Sequence, residues 1–211
     1  MQIATAGTVQ QAAAWLMEHD PALRPVITRV GLCTIRPHQE YYRSLVYEII
    51  GQQLHVKAAD SIRRKFEAFF GGTFPAPAAI LAHSVEDLRM VGLSRAKAAY
   101  IRDIAQHCID NKIDFASFDT LRNEQIIAIL TDVKGIGEWT AHMFLMFCMA
   151  RLDVLPVGDL GIRSGVRKLY GLAEMPTPQQ VAEIAAANRW HPYESIASWY
   201  IWQALDAASS A

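Results

Sequence analysis

The sequence has little cysteine and no cysteine pattern. Its three cysteines, Cys33, Cys108 and Cys148, are odd in number and far apart. Their separations match neither the short spacing of metal ligands nor a framework of paired disulfides. A reducing, cytosolic setting is therefore the simplest interpretation.

The sequence also lacks an excess of charge of either sign. Lysine and arginine total 20 and aspartate and glutamate total 21, which gives a formal net charge of −1. Most nucleic-acid-binding proteins are basic, so this balance counts mildly against that class. It does not exclude the class, because a local patch and oriented backbone amides can hold phosphates without a global excess of charge.

Long apolar runs and low-complexity linkers are absent as well. No stretch reaches the ~18 uncharged apolar residues of a membrane span, and the N-terminus has no signal-peptide pattern. Hydrophobic residues make up 52% of the 211 residues and charged residues 19%. This composition favours a well-buried globular protein, either one sizeable domain or two small lobes.

Apolar residues recur at helical spacing along almost the whole chain, and no segment alternates as a strand would. The fold class is therefore predicted to be all-α. One helix is expected over residues 8–19, and a second should begin at Asp20-Pro21 and run to Val30. Residues 74–79 are predicted to form a proline-marked loop. Residues 138–150 are predicted to form one continuous helix.

Two glycines flank one aliphatic residue in Lys134-Gly135-Ile136-Gly137-Glu138, between two predicted helices. Such a turn can direct backbone N–H groups and a helix N-terminus towards an anion, and the expected anion is a DNA phosphate. Lys134 adds a cation suited to the same phosphate. A bare Gly-x-Gly is more often an ordinary corner between helices. The functional interpretation depends on the short turn and on the good helix on each side.

Asp159 follows in the segment 155–159, twenty residues after Trp139. An aspartate at a helix start is most often simply an N-cap. That role is compatible with catalysis, because the helix N-terminus favours a negative charge at this position. The carboxylate could then orient a water molecule or stabilise a developing cation.

These segments together resemble the helix-hairpin-helix (HhH-GPD) superfamily of DNA base-excision glycosylases, and within it the alkylbase, or 3-methyladenine DNA glycosylase II, branch. The resemblance covers roughly residues 40–205, and several segments in order are more specific than any one alone. The segments are 51–56, 92–97, 134–141, 155–159 and 190–193, together with Trp202. Only about forty residues precede the matching region, as in a compact form of the family.

The resemblance implies two helical lobes with an active-site cleft between them. One lobe would span residues 41–151 and carry the hairpin. The second would combine residues 1–40 with residues 152–211 and carry Asp159. The implied partner is double-stranded DNA containing a damaged base, and the protein is expected to be a monomer without a membrane association. Its expected location is the bacterial cytoplasm, at the nucleoid, or the nucleus of a eukaryote.

The implied activity is hydrolysis of the N-glycosidic bond of an alkylated purine such as 3-methyladenine or 7-methylguanine. Asp159 stands where the family has its catalytic aspartate, which stabilises the oxocarbenium-like sugar. Trp139 stands where strand-cutting relatives have a lysine, so a monofunctional enzyme is expected. The three cysteines cannot supply the iron–sulfur cluster of another branch. Two alternatives stay open: a same-fold glycosylase for deaminated or oxidised bases, and a non-catalytic DNA-binding module.

The family flips its target base into a pocket, and four residues map to it by the resemblance. Trp202 is interpreted as a pocket residue, whereas Trp139 either lines the pocket or packs the hairpin. Electron-rich rings suit a cationic base. Met143 and Leu160 stand where some relatives have aromatic residues, so the pocket is less aromatic here.

The remaining assignments concern DNA and a cation. Gln53 occupies the position of the residue that fills the gap left by the flipped base, and His55 beside it is expected near the minor groove. Both also suit a polar helix start. No cofactor is expected, except that a structural Na⁺ or K⁺ ion could be held by the backbone carbonyls of Thr131, Val133 and Ile136, as in the family's hairpin.

Overall fold

The computed structural model describes residues 2–209. Helices dominate these residues. Extended backbone pairs within them at an isolated bridge between Ile3 and Arg151. The all-α prediction is therefore confirmed. The helices are α1 Ala6–His19, α2 Arg24–Val30, α3 Tyr41–Gly51, α4 Val56–Phe69, α5 Pro77–Leu81, α6 Val85–Arg89, α7 Arg95–Ile109, α8 Asn123–Thr131, α9 Glu138–Met143, α10 Leu160–Leu169, α11 Pro178–Ala187 and α12 Glu194–Ser209. Among them, none is long and apolar enough to cross a membrane.

The chain divides into two compact units. The N-terminal unit combines residues up to Gln39 with those from Leu145 onwards, and the central unit spans Glu40–Phe144. The predicted division placed the second boundary at Arg151, seven residues further along.

The N-terminal unit is built around α12. This helix packs against α10, α2 and α1, and α11 packs against α10. Its core includes the fully buried side chains of Leu16, Leu23, Trp190 and Tyr200. The packing of these large apolar groups is the main stabilising contribution to this unit.

Helix α2 begins later than the sequence predicted, at Arg24 instead of at the Asp20-Pro21 step. The buried Asp20 carboxylate explains the delay. Its Oδ1 accepts the amides of Ala22 and Leu23 at 2.9 and 3.1 Å, which closes a turn before the helix. Its Oδ2 accepts the indole N–H of Trp190 at 2.7 Å and the hydroxyl of Tyr170, so these distant side chains fix the turn.

The central unit packs α7 against α5, α6 and α3, and it pairs α8 with α9. Its core includes Phe66, Phe118, Ile49 and Leu130. Two short elements were missed by the sequence prediction. Helix α5 starts at Pro77 inside the expected proline loop, because proline is well accommodated in a first helical turn. A 3₁₀ helix spans Phe115–Thr120.

The predicted single helix over residues 138–150 is wrong. Helix α9 ends at Met143, and a π-helical segment, Phe144–Cys148, follows it. Two backbone carbonyls at and just after the end of this segment accept amides from the N-terminal part of the chain. The Cys148 carbonyl accepts the His38 amide at 3.0 Å and the Ala150 carbonyl accepts the Ala4 amide at 2.8 Å. Helical periodicity in the sequence cannot reveal such distant partners.

Candidate active site

Asp159 caps the N-terminus of α10 in the N-terminal unit, as the capping pattern indicated. Its Oδ1 accepts the Ile162 amide at 2.7 Å, and its own amide donates to the Pro156 carbonyl at 2.9 Å. The same Oδ1 accepts the indole N–H of Trp202 at 3.0 Å. Two N–H donors on one oxygen fix the orientation of this half-buried carboxylate.

Trp202 lies on α12 and is brought to Asp159 by packing between α10 and α12. Its ring also lies beside Phe147, with ring centroids 5.8 Å apart and planes inclined by 35°. Phe147 is 39% exposed, a high value for a phenylalanine. Phe147 was not predicted to be a site residue, because a partly exposed ring within an apolar run has the same sequence pattern as a core residue.

Two glycines of α10, one helical turn apart, make the approach of α12 possible. A Cβ on Gly161 would lie 2.9 Å from Trp202 Nε1 and 3.0 Å from Asp159 Oδ1. A Cβ on Gly165 would lie 2.2 Å from Ile201 Cγ2. Side chains at either position would push α12 away or displace the indole. Neither glycine was predicted from the sequence to have a role.

Leu160 opens α10 next to Asp159 and is 67% exposed. An exposed leucine at this position is compatible with contact to a bound base or to DNA. Its assignment to a base pocket stays a prediction.

The hairpin of the central unit joins α8 to α9 through residues 132–137. Gly135 has φ +86°, and a Cβ there would lie 2.2–2.7 Å from atoms of the Tyr100 ring. Both the left-handed backbone and the lack of space for a side chain therefore require glycine at this position. Gly137 has an ordinary φ of −95° and caps α9. Apart from Gly137 itself and its two chain neighbours, the described residues place no heavy atom within 4 Å of a Cβ built there, so the space beside its Cα is open.

Lys134 is held at the start of this turn by Asp103 of α7. Its amide donates to Asp103 Oδ2 at 2.9 Å, and its ammonium lies 3.9 Å from Oδ1. The Lys134 side chain is 78% exposed, so its charge faces solvent at the hairpin. Its contact with DNA stays a prediction.

The segment between α3 and α4 carries Gln53, which adopts a left-handed φ of +56° and is exposed. Such a backbone is uncommon for glutamine and needs support from its surroundings. The Lys97 ammonium supplies it, donating to the carbonyls of Ile50 at 2.9 Å and Gln52 at 2.6 Å. The side-chain Nε2 of Gln52 donates to the Gly135 carbonyl at 2.7 Å, which ties this segment to the hairpin.

His55 caps α4 through its backbone and is exposed. The structure therefore places Gln53 and His55 on one short exposed turn. Their contacts with DNA stay predictions.

A pocket of about 380 Å³ opens beside this segment within the central unit. It is lined by Glu48, Gly51, Gln52, Gln53, Trp139 and Thr140. Trp139, the first residue after the helix start of α9, is 50% exposed. Trp139 thus contributes to a pocket wall as well as to the hairpin. Met143, one helical turn further along α9, is buried instead, and its assignment to a base pocket stays a prediction.

Glu48 is an acidic residue of this pocket that the sequence analysis overlooked. It stands in an otherwise apolar stretch of α3, between the buried Leu45-Val46 and Ile49-Ile50 pairs. It lies four residues before Gln52, which puts both on one helix face. Burial raises the pKa of the Glu48 carboxyl, and the positive charge of Arg63 opposes that rise. A lone acid inside an apolar helical run was the signal that could have identified it.

The backbone around the hairpin suits the predicted monovalent cation. Helix α8 ends at Thr131, so its carbonyl belongs to the last turn, where intrahelical partners are missing. The Val133 carbonyl accepts the Ile136 amide at 3.1 Å and retains a second lone pair. Carbonyl oxygens at the negative end of a helix are the donor type that a hard cation takes, and binding of a Na⁺ or K⁺ ion there stays a prediction.

The three cysteines all lie within the described residues. Cys33 and Cys148 are buried and Cys108 is partly buried. Burial raises the pKa of Cys33 and of Cys108 to about 11, so both are protonated at neutral pH.

The chain is similar to proteins of a known family. Residues 46–190 match the model of the HhH-GPD superfamily base excision DNA repair protein. The chain is 38% identical to DNA-3-methyladenine glycosylase 1 of Schizosaccharomyces pombe over 78% of this chain and 72% of the relative. It is 29% identical to the alkylbase DNA glycosidase-like protein mag2 of the same yeast, over 92% of each chain.

Two solved structures share the fold and a substantial part of the sequence. The DNA-3-methyladenine glycosidase of Bacillus halodurans superposes with a TM-score of 0.85 at 35% identity, over 94% of this chain and 91% of that one. The S. pombe 3-methyladenine DNA glycosylase, solved in complex with abasic DNA, gives 0.79 at 33% identity, over 93% and 97%. The chain therefore belongs to the HhH-GPD superfamily of base excision DNA repair proteins.

Proposed function

We propose that this protein is a monofunctional DNA glycosylase, which hydrolyses the N-glycosidic bond of alkylated purines in double-stranded DNA during base excision repair. Its substrates are bases of the 3-methyladenine and 7-methylguanine type. The observation that supports this most strongly is the anchored Asp159 carboxylate with the indole of Trp202 against it. Relatives and solved structures named for 3-methyladenine release support the substrate class.

Asp159 acts on the sugar. As the bond between C1′ and the base breaks, positive charge develops on the sugar ring, and a fixed carboxylate stabilises that charge. Because Oδ1 is held by the Ile162 amide and the Trp202 indole, the group needs no reorientation during the reaction. The carboxylate also orients the water that attacks C1′.

Alkylation makes the base itself the better leaving group. A purine alkylated at N3 or N7 is already cationic, so it departs as a neutral molecule. The aromatic faces of Trp202 and Phe147 attract such a cation. Trp139 replaces the lysine that strand cleavage would need, so the product is an abasic site in an intact strand.

The DNA contacts come from the central unit. Gln53 fills the gap left by the flipped base, and His55 lies beside it near the minor groove. The amides at Gly135 and Gly137, with Lys134, bind a backbone phosphate. The carbonyls of Thr131, Val133 and Ile136 would hold a Na⁺ or K⁺ ion, and such an ion would supply positive charge for that phosphate. The protein works as a monomer where chromosomal DNA is present, in the bacterial cytoplasm or in the nucleus.

A duplex carrying one 7-methylguanine tests this function. We expect release of the free base and an abasic site that breaks only after alkali treatment. Strand breakage without alkali would contradict the monofunctional assignment. DNA binding with no base release would support the non-catalytic alternative instead.

A further inference from the structure

One face of α7 contacts both segments of the central unit that are proposed to bind DNA. The first segment is the exposed turn that carries Gln53, and the second is the hairpin of residues 132–137. Four residues of α7 make these contacts, and they recur at intervals of three or four positions, which places them on one side of the helix. They are Lys97, Tyr100, Asp103 and His107.

The N-terminal end of this face holds the exposed turn. The Lys97 ammonium donates to the carbonyls of Ile50 and Gln52, at 2.9 and 2.6 Å. Both carbonyls lie at the C-terminal end of α3, where a positive charge is favourable. Because these bonds fix the backbone directly before Gln53, they set the direction in which its left-handed turn projects.

The C-terminal half of the face holds the start of the hairpin at two points. Asp103 Oδ2 accepts the Lys134 amide at 2.9 Å. One helical turn further along, the buried His107 has its Nε2 3.2 Å from Asp132 Oδ2 and its Nδ1 2.8 Å from the Asp103 carbonyl oxygen. The backbone that leads into the glycine turn is therefore attached to α7.

The middle of the face completes the connection between the two segments. The Tyr100 ring lies against Gly135, where a side chain has no room. The Gly135 carbonyl in turn accepts the side-chain Nε2 of Gln52 at 2.7 Å. From Lys97 to His107 the face is ten residues long, or roughly 15 Å of helix. A single rigid helix thus spans the attachment points of both segments.

We propose that this face of α7 fixes the spacing between the hairpin and the exposed turn, so that a phosphate bound at the hairpin places the gap left by the flipped base at Gln53. Lys97 and Asp103 are then positioning residues for base release, because each fixes the backbone of a DNA-binding segment without touching the substrate. This inference rests on the proposed function and concerns contacts within the central unit alone. A misplacement of about 1 Å can slow a reaction about 100-fold, so altered spacing costs rate even when DNA stays bound.

Two variants test the proposal by releasing one segment each. Lys97→Met keeps an unbranched stem but has no donor for the carbonyls before Gln53. Asp103→Leu keeps the approximate size of the side chain but has no acceptor for the Lys134 amide. We expect each variant to slow single-turnover release of 7-methylguanine about 10-fold or more at saturating protein. Asp103→Asn retains an oxygen acceptor, so its rate should lie within about threefold of wild type.

The controls separate positioning from stability. Lys112→Met is matched to Lys97→Met, because Lys112 is an exposed lysine just beyond the C-terminal end of α7. It should release 7-methylguanine at the wild-type rate. The melting temperature of each variant is measured alongside, since a merely structural role would lower it and leave the saturating rate of the folded protein unchanged. That outcome, or equal rates for Asp103→Asn and Asp103→Leu, would overturn the proposal.

A second readout does not depend on base release. In a duplex that contains a tetrahydrofuran abasic-site analogue, an adjacent 2-aminopurine fluoresces more strongly when its stacking is disturbed. We expect saturating wild-type protein to raise this fluorescence, and Lys97→Met and Asp103→Leu to raise it less although both bind the duplex. A full rise in both variants would overturn the proposal.

The two readouts distinguish failure of this proposal from failure of the proposed function. If the fluorescence depends on Lys97 and Asp103 but no 7-methylguanine is released, the proposed function fails and the role of α7 stands. If all variants release 7-methylguanine as fast as wild type, the proposed function stands and the role of α7 fails.

Discussion

Each unit pairs a carboxyl group with a tryptophan, and the two pairs have different surroundings. Asp159 accepts N–H groups from Ile162 and Trp202 on one oxygen, so its direction is fixed. Glu48 lines a pocket with Trp139, and burial raises its pKa. The two carboxyl groups therefore differ in their surroundings: two N–H donors fix the direction of the Asp159 side chain, whereas burial favours the neutral form of Glu48.

The supports of the two pairs also differ. The Asp159 pair depends on side chains and on two glycines that let α12 approach α10. The Glu48 pocket depends on backbone turns, at Gln53 and in the hairpin at Gly135. Variants that disturb one support at a time therefore affect the two sites differently.

The largest effect on stability is expected from Gly135→Ala. The new Cβ would require a left-handed backbone and would overlap the Tyr100 ring, so we expect a loss of roughly 3 kcal/mol or more in the free energy of unfolding. Urea denaturation measures it. Gly137→Ala is the control and should cost less than about 1 kcal/mol, because its φ is ordinary and the space is open. Equal losses in both variants would contradict the account.

The next largest effect tests the indole N–H of Trp202 separately from its aromatic ring. Trp202→Phe keeps an aromatic face but removes the donor to Asp159, and a hydrogen bond to a charged group is worth about 1.5–3 kcal/mol. We expect single-turnover release of 7-methylguanine to slow about 10–100-fold with little change in DNA affinity. Trp15→Phe is the control, since it loses an indole hydrogen bond to the Arg189 carbonyl in the same unit. A Trp202→Phe enzyme as fast as wild type would remove the N–H from the mechanism.

A smaller effect is expected from Gly161→Ala. The added Cβ would crowd both Trp202 Nε1 and Asp159 Oδ1 at about 3 Å, so the indole must shift by a few tenths of an ångström. We expect a reduction of roughly 5–10-fold in the same release rate, through a loss of about 1 kcal/mol in alignment. Gly158→Ala, which meets no atom within 4 Å, should leave the rate unchanged. Similar rates for the two variants would argue against a role for this close contact.

The smallest effect concerns Glu48 and stability. Because folding raises its pKa, the stability associated with the neutral acid is complete below the unfolded pKa of about 4.3. That contribution is lost as the pH rises through the folded value. Glu48→Gln carries no charge at any pH, so its melting temperature should exceed that of wild type at pH 8. The difference should shrink towards pH 4, and a difference that is constant with pH would contradict the raised pKa.

Local signals in the sequence predicted a good part of the molecule. The cap at Asp159 is encoded within three or four residues, and it is present. Most helices follow the spacing of their apolar residues. The end of the π-helical segment after α9 could not be predicted, because the carbonyls of Cys148 and Ala150 accept amides from residues more than a hundred positions away.

Some features of the candidate site could be predicted from the sequence, and others could not. Asp159 and Trp202 were identified through the family resemblance, but their hydrogen bond joins residues 43 positions apart. The need for glycine at position 161 becomes visible only when α12 is packed against α10. Glu48 was missed because an acid on a helix is ordinarily a solvated residue. Its place in a pocket is decided by the turn at Gln53 and by α9.

The most direct test of the account is the release of 7-methylguanine from duplex DNA by Asp159→Asn. This change preserves the shape of the side chain and its position at the start of α10, but it removes the negative charge. We predict a rate at least about 10²–10³-fold below wild type, with DNA binding retained. Release within about twofold of the wild-type rate would contradict the assignment of Asp159 as the hydrolytic centre.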